Sequence, residues 1–142
     1  MGMDDTTADG RMWAAASYAG VLVALPAALV PLAQRNDAFA LHHAKQALGV
    51  QITFIVAYFT TFFLAFVFFL CTFGLSHLFF IPVLMLMLIW PIGSSLHGII
   101  LATNGDWSPP IGSFGLGDRF FSGVTLLEEV EPPAIAEDKD LT

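Results

Sequence analysis

The sequence predicts an all-α integral membrane bundle of three transmembrane helices, the second preceded by an amphipathic interfacial extension. Three observations carry this expectation. Of 142 residues, 56% are hydrophobic and 12% charged, against roughly half and a quarter in soluble domains. No Asp, Glu, Lys or Arg occurs between Lys45 and Asp106. Within that interval two long apolar runs flank a short uncharged connection, the pattern of a helical hairpin crossing about 30 Å of hydrocarbon twice.

Residues 1–10 are small, polar and acidic, and are expected to form a mobile tail. They do not resemble a secretory signal, which would begin with basic residues. The transmembrane helical domain is placed at residues 11–121. Its first span, about 13–32, is rich in Ala, Val and Gly, with Ala16, Gly20 and Ala24 forming a small-residue face for close helix approach. Pro26 and Pro31 remove backbone donors, so a kink is expected near Leu22 to Leu25, with a re-entrant segment as the alternative.

Arg35, Asn36 and Asp37 form a polar turn in which Asn36 or Asp37 can cap the next helix. That helix runs unbroken from Ala38 to Thr72, about 52 Å at 1.5 Å per residue, longer than the hydrocarbon is thick. Residues 36–47 are therefore expected to lie in the interface, with Phe39 and Leu41 reaching lipid and His42, His43 and Lys45 among the headgroups. The spanning part is 48–72, with Gly49 the place for any bend. Phe residues distributed all round it suit lipid or the centre of a bundle. A third span covers 81–102, where Pro91 and Gly93 locate a second kink. Residues 105–121, an aromatic, Gly- and Pro-rich stretch, read as an interfacial loop packed on the helix ends, and residues 122–142 as an acidic tail. Trp13 and Trp107 are the expected interfacial anchors.

Polar residues within or beside the apolar helices are the candidate functional or structural cluster: His42, His43, Lys45, Gln46, Gln51, Ser94, Ser95 and His97. His43, Ala47 and Gln51 share one face at four-residue spacing. The hairpin places Gln51 and His97 at similar depth in one leaflet, close enough to touch. The structural interpretation is mutual satisfaction that ties the spans together. Two functional alternatives are a proton or solute path through Gln51, His97 and the serines, and a haem or metal held by His42 or His43 with His97.

Ser94 and Ser95 have no acid nearby, and no Gly-rich loop joins a strand to a helix, so no catalytic residues, metal ligands or cofactor are assigned. Five Lys and Arg in the whole chain cannot form a phosphate-tracking stripe, which excludes nucleic acid. The net charge of −7 resides in the two ends. Cys71, the single cysteine, can close no internal disulfide. Basic residues near the spans place the loop at Arg35 and the C-terminus in the cytoplasm and the N-terminus outside; the N-terminus moves to the cytoplasm if the first segment does not cross.

The run His43-Ala44-Lys45-Gln46-Ala47-Leu48, followed by Gln51 and preceded by an aromatic-containing turn after Asn36 and Asp37, resembles a signature of small prokaryotic membrane proteins. That family is related to the twenty-kilodalton subunit of the chloroplast inner-envelope import machinery (Tic-twenty-like) and includes MamF-type magnetosome membrane proteins. Trp13 to Tyr18 with Ser17 and Gly20 is similar to the family's first span. Asn104-Gly105, followed by an aromatic residue and Pro110, is similar to its ending. Gly49, where a larger polar residue is usual, and the long acidic tail depart from the pattern. The resemblance implies a compact bundle of three or four helices without an established enzymatic role in most bacterial members.

The expected function is that of a non-enzymatic accessory or scaffold subunit of a membrane assembly, in the bacterial inner membrane or an organelle membrane derived from it. Its partners would be the lipid bilayer and other membrane proteins or itself. A component of a transport or protein-translocation channel, possibly a homo-oligomer, is the alternative.

Overall fold

A computed structural model describes residues 6–72, 75 and 77–127. The elements are all helical: α1 (Ala8–Leu22), α2 (Leu29–Gln34), α3 (Ala38–Cys71), α4 (His77–Asn104) and α5 (Leu116–Phe120). Two of them, α3 and α4, are long and apolar enough to cross a membrane. Residues 1–5 and the acidic stretch from Glu128 lie outside the described residues.

The N-terminal segment is ordered earlier than expected. Thr7 caps α1, its hydroxyl accepting from the Gly10 amide at 2.8 Å, so Ala8–Gly10 are helical rather than part of a tail. The expected first span, in contrast, does not form. The 15 residues of α1 cover only about 22 Å, and the helix breaks at Leu22. Ala24 then takes a left-handed conformation (φ 56°), and the Leu25 amide donates to the Gly20 carbonyl at 2.8 Å. The chain turns back on itself into α2, and a side chain at Gly20 would collide with Ala27 and the Leu25 carbonyl. The chain thus forms a helical hairpin, with the turn-back that a re-entrant segment requires, in place of a kinked span. The two prolines follow the break and belong to the return.

Both ends of this re-entrant hairpin lie together. Thr7 Oγ1 donates to Asp37 Oδ2 at 2.9 Å, while Asp37 Oδ1 caps α3 by accepting from the Ala40 amide at 2.8 Å. Thr6 lies against Gly105, just beyond the end of α4, and the Leu127 amide donates to the Arg35 carbonyl at 3.3 Å. The described N-terminal residues and the segment after α4 therefore share one face, which corrects the expectation that they lie on opposite sides.

α3 runs from Ala38 to Cys71, one residue short of the expected end, and α4 continues as one helix through Pro82 and Pro91. The halves of this pair differ. Near the shared face α1 packs against both helices around a core of Ala14, Tyr18, Ala28, Phe39, Ala44, Ala47 and Ala102. The small residues permit close approach, but the buried face of α1 is Gly10, Ala14, Ser17, Tyr18 and Gly20. Ala24 is exposed, so the expected Ala16–Gly20–Ala24 stripe is not the contact. The first turns of α3 are not an interfacial surface helix either: Phe39, Leu41, His43 and Gln46 are all buried by protein. The far half is bare, with Phe59, Phe63 and Leu70 each more than 60% exposed.

Candidate functional site

Helical spacing divides the polar start of α3 between two faces. His43, Ala44 and Ala47 face α1, while His42, Lys45, Gln46 and Gly49 face the segment that follows α4. That segment, 105–127, folds back against the helices, and the motif residues hold it there.

His43 is fully buried and joins three parts of the chain. Its Nε2 lies 2.8 Å from the Asp106 carbonyl oxygen, which can only accept, so Nε2 carries the proton. Nδ1 is then the acceptor for the Tyr18 hydroxyl at 3.1 Å. Phe39 packs edge-on against the His43 ring at 4.5 Å between centroids, and Trp107 edge-on against Phe39 at 5.0 Å. The Asp106 side chain fixes the turn that presents this carbonyl: Oδ1 accepts from the Ser108 hydroxyl at 2.7 Å and its amide at 2.9 Å. Those bonds hold the Asp106 carboxyl below the usual carboxylate range.

On the opposite face Gln46 Nε2 donates to Asp118 Oδ2 at 2.6 Å, and His42 Nδ1 stands 3.8 Å from Asp118 Oδ1. α5 can come this close because two glycines meet. A Cβ at Gly49 would lie 2.7 Å from the Gly117 amide nitrogen, and one at Gly117 would strike the Lys45 carbonyl. Gly49 is therefore a backbone contact, which accounts for the absence of a larger residue there. On α4, His97 Nδ1 accepts from the Ile111 amide at 3.1 Å, and Gly112 lies against the Trp90 indole nitrogen.

The expected cluster is thus dispersed. His42 and His43 touch edge-on at 5.3 Å between ring centroids, but the polar bonds of His42, His43, Gln46 and His97 go to the 105–118 segment, and among the described residues no hydrogen bond joins Gln51 to His97. Ser94 and Ser95 are buried, with hydroxyls that have no hydrogen-bond partner. Lys45 contributes its carbonyl, not its ammonium, to the contact. Gln51 lines a cavity beneath the tip of the re-entrant hairpin. Of the expected anchors, Trp107 is 40% exposed and packed edge-on against Phe39, while Trp13 lines a polar recess between α1, α2 and the start of α3.

Tyr18, Asp106, Gly117 and Asp118 were not singled out from the sequence. Tyr18 carried a usable signal, a phenol within an Ala-rich stretch that needs a partner when buried. Chemically the arrangement clamps a loop: both ring nitrogens of His43 are occupied, and the one serine bonded to a carboxylate, Ser108, serves with Asp106 to close a turn. Among the described residues no three His, Cys, Asp or Glu side chains converge on a possible metal position.

The sequence profile of MamF_MmsF, the magnetosome magnetite crystal formation protein family, matches residues 9–114. No curated protein and no solved structure matches the chain.

Proposed function

The chain belongs to the MamF/MmsF family of magnetosome magnetite crystal formation proteins, and from that premise we propose that it is a non-enzymatic accessory or scaffold subunit of a membrane protein assembly. Its helices act by binding neighbours in the membrane where magnetite forms. The observation that carries this reading is the bare far half of α3 and α4. There two helices stand without a third, and Phe59, Phe62, Phe63 and Phe66 are more than half exposed, an unusual density of aromatic surface for helix contacts.

The transport alternative has less support, because His43, Gln46 and His97 are bonded to the chain's own loop and do not line a path. The wider Tic-twenty-like kinship belongs to the same proposal and rests on the His43–Leu48 core. Arg11, Arg35, Lys45 and Arg119 all lie towards the face shared by the described ends, so the positive-inside rule assigns that face to the cytoplasm.

The test is crosslinking in intact membranes from Phe66→Cys in a Cys71→Ser background, followed by native mass analysis in mild detergent. A defined adduct of fixed stoichiometry, lost in Phe62→Ala/Phe63→Ala while helix content is kept, is expected. A chain that is monomeric in detergent and forms no adduct in the membrane refutes the scaffold reading.

A further inference from the structure

Gln51 stands apart from the polar residues gathered by the loop. Among the described residues nothing hydrogen-bonds its amide, although it lies within an apolar helix. It lines an open-sided cavity of about 300 Å³ together with Leu22, Ala24, Phe54, Leu88 and Pro91. The cavity follows from the fold: α1 turns back near the middle of α3, leaving a space beneath its tip that α3 and α4 do not close.

In a bilayer this space opens to hydrocarbon, where an unpaired amide is costly. From Gln51 to the end of α3 at Cys71 is about 20 residues, about 30 Å at 1.5 Å per residue, the thickness of the hydrocarbon, which sets Gln51 at its edge. That depth is where the ester linkages of a glycerolipid divide headgroups from acyl chains. An ester carbonyl accepts a hydrogen bond and the chain below it is apolar, matching a cavity with a single amide at its polar end.

We propose that this cavity holds one acyl chain of an ester-linked membrane lipid, whose ester carbonyl accepts a hydrogen bond from Gln51 Nε2. The lipid occupies the space that α1, by turning back, leaves open beside α3 and α4.

The experiment is native mass titration of the full chain in mild detergent with diester phosphatidylethanolamine and with its diether analogue, which has the same headgroup and chains but no carbonyl. One diester lipid is retained per chain, and the diether binds about three- to tenfold more weakly, the worth of one hydrogen bond. Gln51→Leu abolishes that preference, and Leu22→Trp, which fills the cavity, lowers retention of both lipids. Equal retention of the two lipids by the unaltered chain overturns the proposal and requires no variant to fold. So does a preference that survives Gln51→Leu, retention of no lipid, or a dimer that occupies the cavity in place of lipid.

Discussion

Single atoms decide how the segment after α4 is held. Tyr18→Phe removes one oxygen and leaves His43 Nδ1 buried without a donor, for which a loss of about 1–3 kcal/mol is expected in chemical unfolding followed by circular dichroism in detergent. Gly49 and Gly93 are a contrasting pair on α3 and α4. Gly49→Ala pushes a methyl group into the Gly117 backbone and should cost about 1–3 kcal/mol as an overpacked contact. A methyl group at Gly93 meets nothing within 4 Å, so Gly93→Ala should be neutral or stabilise α4 by up to about 1 kcal/mol. Equal effects at the two sites in the same unfolding measurement would contradict the glycine contact. The motif residues could be singled out in the sequence as polar groups that needed partners, but not who the partners were. Helical rise gives depth, and by depth Gln51 and His97 are neighbours. Direction around the axis and the path of the following loop decide contact, and Ile111 reaches His97 from a stretch whose Gly and Pro content specifies no regular path.

At the scale of elements, α3 was the most legible: its cap, start and end follow from Asp37 and an uninterrupted apolar run. Asp37→Ala removes both the cap and the tie to Thr7, and a loss of about 0.5–2 kcal/mol is expected. It should be accompanied by faster amide exchange at Ala38 to Leu41 in hydrogen-exchange mass spectrometry, whereas unchanged exchange there would show that the cap is not what starts the helix. α1 and α2 were misjudged because hydropathy counts apolar residues without giving their direction. About twenty of them suffice either to cross or to go halfway and return, and the choice lies in Ala24 adopting φ 56° beside Gly20, a backbone preference that composition does not show. The burial of the first turns of α3 by protein was not legible for a related reason. Their His and Lys residues look solvated in isolation, yet once α1 covers one face and α5 the other, His43 and Gln46 become fully buried.

For the whole molecule, the re-entrant hairpin sets the topology: Thr6, Arg35 and Ser108 should be on one side of the membrane and the α3–α4 connection on the other. Single cysteines at those three positions in a Cys71→Ser background should react with a membrane-impermeant maleimide from the same side of sealed vesicles, and one at Leu75 from the opposite side. Labelling of Thr6→Cys and Ser108→Cys from opposite sides would restore a third span. The same hairpin also gives the protein unequal girth. Towards the shared face the cross-section contains α1, α2, α3, α4 and the α5 segment, while beyond the level of Ile55 only α3 and α4 remain. Such a body is a wedge, displacing more area in one leaflet than in the other. With the wide end in an outer, convex leaflet such a body should lower the cost of bending, an expectation checked by whether the reconstituted protein sorts to small vesicles over large ones.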